Sequence, residues 1–321
     1  MRLLSWLEET PENFGDRCKS LAGNGNVLAA TMALANSDLS VNQAHRLYGT
    51  IVKTAEIQAV LKSKLDKFKL GVVSNGTLDL LTPMLAVAAL RRGIFLEIVS
   101  SDFDQAMQEA INPASRINRS TPDAVLLALD FRAFPFGANA WAASPEGGAA
   151  ASGLEMLQQI RRGFRKNSGA VCLVQNLATP PHTLLGSLDS QITGTLRKEL
   201  ADFNRELARL ISADSDILLD VASLVGEVGS RSWFDERQWL TARITLANQF
   251  IPLYCEHIAR LIASLRGKSK KCLVLDLDNT LWGGVIGDDG IDGIVVGPGS
   301  PFGEAHLALQ RYALELKSLG V

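Results

Sequence analysis

Leu70-Gly71-Val72-Val73-Ser74-Asn75-Gly76-Thr77 decides the reading of the fold. A short apolar run, 70–74, ends abruptly in a polar turn, which reads as a buried strand running into a loop. A helix follows, with Thr82 as N-cap, Pro83 at its first position and Gly93 just beyond Arg91-Arg92. Further apolar runs at 94–99, 124–129, 170–175 and 217–220 read as strands. Helices near 103–111, 154–165 and 194–211 separate them, and an Ala/Gly/Pro-rich loop covers 133–152. A last helix starts near Pro252 and stops before Gly267. Strands alternating with helices predict an α/β, three-layer domain whose mostly parallel sheet has helices on both faces.

Upstream, residues 1–66 read as a helical N-terminal segment packed on that domain. Residues 41–65 hold good helix formers, no Pro and a single Gly, with Leu47, Ile51, Ala55 and Ala59 on one face. Downstream, Gly267-Lys268-Ser269-Lys270-Lys271 is a short basic linker and the clearest boundary. The predicted organisation is therefore 1–66, 67–267 and the start of a further domain at 272–321.

Composition bounds the function. A chain of 321 residues has room for about two domains. Thirty-two Lys+Arg against 34 Asp+Glu give a net charge of -2, which excludes a protein defined by a basic nucleic-acid surface or an acidic tail. The longest uncharged stretch, 167–188, carries Asn, Gln, His and adjacent prolines, so no membrane span is expected. The N-terminus has no basic start followed by an apolar run and a small-residue cleavage site. Cys18, Cys172, Cys255 and Cys272 form no close pair. Cys172 and Cys272 sit in apolar runs, so buried reduced thiols in a cytoplasm are expected.

The chemistry lies just past the linker. Cys272-Leu273-Val274-Leu275 runs into Asp276-Leu277-Asp278-Asn279-Thr280. Read as a strand, this delivers two carboxylates at i and i+2 to the end where open α/β sheets place ligands. One carboxylate is placed to attack phosphorus, and the second to protonate the leaving oxygen and later deprotonate water. A Mg²⁺ would offset the meeting of anions. An EF-hand needs Gly at position six and Glu at twelve; Leu281 and Gly287 stand there, so that reading fails. The Gly-rich stretch 281–290, with its Asp289-Gly290 turn signal, reads as a hairpin flap.

Asp276–Thr280 resembles motif one of the haloacid dehalogenase (HAD) superfamily. The longer string from Lys270 through Trp282-Gly283-Gly284 to Gly287-Asp288-Asp289-Gly290 resembles its FkbH-like branch, subfamily IIIC. Ser74–Thr77, Leu90–Gly93, Pro122-Asp123, Pro180-Pro181 and Trp233–Arg237 resemble the SGNH-hydrolase-like, flavodoxin-like domain that precedes the HAD domain in that family. The resemblance implies an enzyme that loads a glyceryl group from 1,3-bisphosphoglycerate, a phosphorylated three-carbon substrate, onto an acyl carrier protein with dephosphorylation, for polyketide biosynthesis. It implies Asp276 as nucleophile and Mg²⁺ ligand, Asp278 as general acid/base with its backbone carbonyl also on the metal, and Thr280 as support of the loop.

The same resemblance places a vestigial hydrolase site in the middle domain. Ser74 or Thr77 would be the hydroxyl, with Asn75 beside them, Asn176 an oxyanion donor and Asp235 the acid. No His stands near Asp235, and His182 is the sole candidate base; His257 lies within a helix. A role in gripping substrate or carrier protein is therefore expected, with Arg161, Arg162, Arg165 and Lys166 as a basic patch. A HAD site also needs a Ser or Thr, a Lys and a further Asp pair, which would lie beyond the apolar-striped helix beginning at Ser300-Pro301. The chain is thus expected to be a truncated enzyme, inactive alone. The alternatives are a generic Mg-dependent HAD phosphatase and a non-catalytic carrier-protein-binding module.

Overall fold

The computed structural model describes residues 3–136 and 148–321. It divides into two compact units, Met1–Leu265 and Arg266–Val321.

In the first unit five strands form one sheet: β1 (Asp66–Ser74), β2 (Ile94–Ser100), β3 (Ala124–Ala128), β4 (Val171–Gln175) and β5 (Ile217–Leu219). Their order is β2-β1-β3-β4-β5 and every pairing is parallel. This is the flavodoxin-like order, with its switch point between β1 and β3. Strand β1 is longer than its apolar run because residues 66–69 pair with β2 alone, before the ladder to β3 begins. Asp66 aligns with Ile94 on one edge, and Leu70 with Ala124 on the other.

Alternation along β1 sends Leu70 and Val72 into one core and Val73 into the other. Both faces are covered, which is why these strands read as continuous apolar runs rather than alternating ones. On one side lie the N-terminal helices together with Leu81–Leu90 and Ile251–Leu265. On the other lie Ala106–Ile111, Ala149–Ser168 and Leu196–Ser212. The three predicted layers are present.

Several local expectations shift. The helix at Leu81–Leu90 starts a little before Thr82, with Leu80 rather than Thr82 at its N-cap. Pro83 then sits in the first turn, where its missing N–H costs no intrahelical bond. The predicted helix over 41–65 is two helices, Val41–Lys53 and Ala55–Lys64, hinged at an extended Thr54. The break lets Leu47 and Ile51 on one piece and Ile57 and Leu61 on the other all be buried. Of the loop predicted at 133–152, residues 137–147 lie outside the described residues, and residues from Ala149 onward are helical.

Two of the four residues of the basic patch are ion-paired, while Arg162 and Lys166 are exposed. Arg161 bonds Asp214 at 2.7 Å and Asp216 at 2.6 Å, and Arg165 reaches the same two carboxylates. Asp216 also accepts from the backbone N–H of Cys172 on β4. These arginines knit the helix Ala149–Ser168 to the sheet instead of facing a partner. A second ion cluster is deeper. Glu256, fully buried on Ile251–Leu265, pairs with Arg91 and Arg92 at the end of the facing helix. Arg91 also donates to the carbonyls of Ala35 and Ser37, tying the N-terminal helices to the domain.

In the second unit the expected strand at 272–275 has no ladder. A strand exists by pairing, and no named strand of this unit lies beside it among the described residues. Leu273, Val274 and Cys272 are accordingly exposed, so Cys272 is not the buried thiol expected, whereas Cys18, Cys172 and Cys255 are buried. The expected hairpin flap is also replaced. Gly283 and Val295 exchange both backbone hydrogen bonds, at 2.9 and 2.8 Å, and the chain between them forms the short helix Ile286–Gly293. Asp289, inside this helix, reaches back to accept from the N–H of Val285 at 2.8 Å instead of opening a hairpin turn. The helix Pro301–Ser318 starts as read from sequence, with Ser300 accepting from Gly303 N–H at 3.0 Å.

Candidate functional site

Two groups of residues carry chemistry, one in each unit.

In the second unit the motif folds into a braced turn. Asp276 Oδ1 accepts from Leu277 N–H at 2.8 Å. Asn279 takes a positive φ of 54° and exchanges bonds with Gly284, its side chain accepting from Gly284 N–H at 2.9 Å. Asn tolerates this left-handed conformation better than most residues. Asp278 Oδ1 accepts from the Trp282 indole at 3.0 Å and from Ile286 N–H at 3.2 Å. The helix Pro301–Ser318 pins the turn from behind: His306 Nδ1–H donates to the Thr280 carbonyl at 2.8 Å, and Gln310 donates to the Leu281 carbonyl at 2.7 Å. Thr280 thus acts through its backbone in this arrangement.

Each carboxylate is therefore fixed by one oxygen, while neither Oδ2 has a hydrogen-bond partner among the described residues. Among the described residues no group of three or more His, Cys, Asp or Glu side chains is gathered for a metal ion. Mg²⁺ commonly takes only one or two protein carboxylates and completes its shell with water and substrate phosphate. The donor chemistry of Asp276 and Asp278 fits that use.

In the first unit a cavity of about 40 Å³ opens at the C-terminal ends of β1, β3 and β4, beside the switch point. It is the size of a few water molecules. Ser74, Thr77 and Asn176 line it, so three of the expected residues are brought together. Each already holds a hydrogen bond, however. Ser74 Oγ accepts from Gly76 N–H at 2.9 Å. Thr77 Oγ1 donates to the Ala242 carbonyl at 2.5 Å, and its N–H to the Arg243 carbonyl at 3.0 Å. Gly76 is required here, because a Cβ would stand 2.5 Å from Thr245 and 2.9 Å from the Arg243 carbonyl. Asn176 donates to Asp220 at 2.6 Å and accepts from Ala222 N–H at 2.8 Å. Burial opposes the charge on Asp220, yet hydrogen bonds from Ser223 and Asn176 outweigh it and hold its carboxyl below the usual carboxylate range.

Asn75 and Asp235 stand apart from the cavity lining. Asp235 caps the helix Glu236–Ala242, accepting from Gln238 N–H at 3.0 Å and from its amide at 2.9 Å. His182 is exposed and pairs with Glu236 at 2.7 Å. No histidine lines the cavity. A hydroxyl without an adjacent base is a weak nucleophile, so the arrangement supports binding rather than ester hydrolysis.

Residues that sequence reasoning missed hold this end of the sheet together. Asp130, just past β3, exchanges two hydrogen bonds with Asn75, at 2.8 and 3.0 Å, and ion-pairs with Arg132. Tyr254 donates to Gln175 at 2.6 Å, and Gln175 donates to the Leu129 carbonyl at 2.8 Å. Burial pushes the Tyr254 phenol far up, so it remains a donor. The position of Asp130 at a strand's C-terminal end was the available signal.

The comparisons with known proteins follow this division. The structure is similar to the N-terminal part of the protein BF1531 from Bacteroides fragilis, containing a phosphatase domain and complexed with Mg, with a TM-score of 0.75 and 23% identity over 88% of this chain and 72% of that one. At that identity the likeness establishes the fold. The salicylyl-acyltransferase SsfX3 from a tetracycline biosynthetic pathway aligns with a TM-score of 0.36 and 16% identity over 63% of this chain and 55% of that one, too low to carry an argument. No curated protein sequence matches the chain. Residues 69–263 match the family model described as FkbH, N-terminal domain. That match spans more than half of the sequence, from within β1 through β5, and the chain belongs to the FkbH N-terminal domain family.

Proposed function

We propose that the chain is the N-terminal part of an FkbH-like HAD enzyme that loads a glyceryl group from 1,3-bisphosphoglycerate onto an acyl carrier protein with dephosphorylation, supplying polyketide biosynthesis. The observation that carries this reading is the occurrence, in one chain, of an FkbH N-terminal domain and a braced Asp276-x-Asp278-x-Thr280 turn. In this reading the free oxygen of Asp276 forms a bond to phosphorus as the bond to the leaving oxygen breaks. Asp278 gives that oxygen a proton and then takes one from the water that releases phosphate. Trp282 and the Ile286 N–H orient Asp278 so that its second oxygen remains for this transfer. A Mg²⁺, when bound, would be held by the Asp276 carboxylate and the Asp278 backbone carbonyl and would neutralise charge between carboxylate and phosphate. The BF1531 fragment was crystallised with Mg, which supports the same choice of ion.

The test is the intact mass of a carrier protein incubated with Mg²⁺, bisphosphoglycerate and the enzyme extended through its downstream sequence. A glyceryl adduct that disappears in Asp276→Asn supports the proposal; no adduct, or one that survives Asp276→Asn, contradicts it. The 321-residue chain is expected to give no turnover alone, since among the described residues no third acidic side chain joins Asp276 and Asp278 in a metal-holding group. Phosphate release without any carrier adduct would favour a generic Mg-dependent phosphatase. A carrier protein bound without either reaction would favour a non-catalytic binding module.

A further inference from the structure

A second, larger recess lies on the first unit, outside the cavity at the strand ends. It is a groove of about 580 Å³, within the range of small-molecule sites. Phe131, Phe234, Trp239 and Leu240 supply its apolar surface. Phe131 and Phe234 meet edge to face at 5.9 Å, so this surface is fixed. Leu240 is 71% exposed, an apolar side chain open to solvent at the groove.

The charges around the groove point to the sign of its ligand. Arg132 is held among the rings, 4.2 Å from Trp239 and 4.7 Å from Phe131, and Asp130 compensates its charge. Glu236 is paired with His182. Arg231 is exposed and has no hydrogen-bond or ion-pair partner among the described residues. Arg231 is therefore the one charged side chain of the groove lining without a partner among the described residues, and it is a cation. A cationic ligand is disfavoured on a second ground. The Trp239 ring already carries two guanidinium groups, Arg132 at 4.2 Å and Arg243 at 5.1 Å, which satisfies the attraction a ligand cation would seek.

We propose that this groove binds an amphipathic organic anion, an acyl or aryl body bearing one carboxylate or phosphate, with the rings holding the body and Arg231 the charge. The assignment rests on the first unit alone and is independent of the chemistry proposed for Asp276. Decanoate and decyl phosphate share the required features, and decanol has the body without the charge. Calorimetric titration of the 321-residue chain with each is expected to show both anions bound roughly tenfold or more tighter than decanol, as a charge-assisted hydrogen bond implies. Arg231→Ala is expected to abolish that preference while leaving decanol binding unchanged. Leu240→Asp is expected to weaken all three. The tighter of the two anions identifies the head group. Equal binding of decanol and the anions, no binding of any probe, or an anion preference that survives Arg231→Ala would overturn the proposal. Both substitutions are at exposed positions, so loss of fold does not confound them.

Discussion

In Met1–Leu265 five parallel strands are covered on both faces, and a fully buried carboxylate is met by three arginines, Arg91, Arg92 and Arg260. In Arg266–Val321, among the described residues, only Gly303 is buried, while Val274 is 88% and Phe302 77% exposed. The first unit is held by long-range packing, the second by short-range hydrogen bonds within a turn and from one helix. The difference teaches that a reactive constellation and a core have separate physical requirements. Asp276 and Asp278 are aimed by neighbours within about ten residues and by His306 and Gln310. The cavity at Ser74 exists only because residues far apart in sequence meet at the end of a sheet.

Substitutions sharpen the contrast. The largest effect is expected from Glu256→Ala, which strips the buried Arg91 of its carboxylate partner. Breaking one side of such a pair costs about 3–5 kcal/mol, read as a lower urea midpoint for the first unit. A loss below about 1 kcal/mol would mean the cluster is solvated and the unit less tightly packed than described.

A smaller effect is expected from pH. Burial, aided by Arg260 and opposed by Glu227 and Glu256, lowers the pKa of His257 below its ordinary value. Above the ordinary histidine value of about 6.5 both folded and unfolded chains are neutral at this position and nothing is lost. As pH falls through that value the unfolded chain takes up the proton first, so stability declines until the folded pKa is reached. Urea midpoints measured through this window should show that decline, and His257→Gln should flatten it; an unchanged slope would remove His257 as its source. The smallest effect is expected from Val274→Ala in the second unit. Its side chain is solvent-exposed, so the change should stay within about 0.5 kcal/mol. A loss above about 1 kcal/mol in the same titration would show that the stretch is packed, erasing the contrast between the units.

Much of the first unit was legible in the sequence because parallel strands buried on both faces leave unbroken apolar runs, as at 70–74 and 170–175. The helix Pro301–Ser318 was legible from its Ser-Pro start. The turn at Asp276–Thr280 was legible as a polar stop after an apolar run, and the structure braces it through Asp278 and Asn279. What failed shares a cause. The apolar run at 272–275 was read as a strand from composition, but a strand needs a neighbour, and none is present among the described residues of its unit. Asp289-Gly290 was read as a hairpin turn, yet the Asp289 side chain bonds back to Val285 and favours a helix. Arg161 and Arg165 were read as a patch because their partners, Asp214 and Asp216, are about fifty residues away in sequence. Asp130 was missed because only the fold brings it to Asn75.

The central claim is that Asp276 is the attacking carboxylate of an FkbH-like enzyme, and peptide mapping tests it most directly. The extended enzyme is quenched with acid during turnover of bisphosphoglycerate, digested and weighed by mass spectrometry. One added phosphoryl group is expected on the peptide containing Asp276 and none in Asp276→Asn. A phosphoryl group on another residue, or turnover that persists in Asp276→Asn, would contradict it.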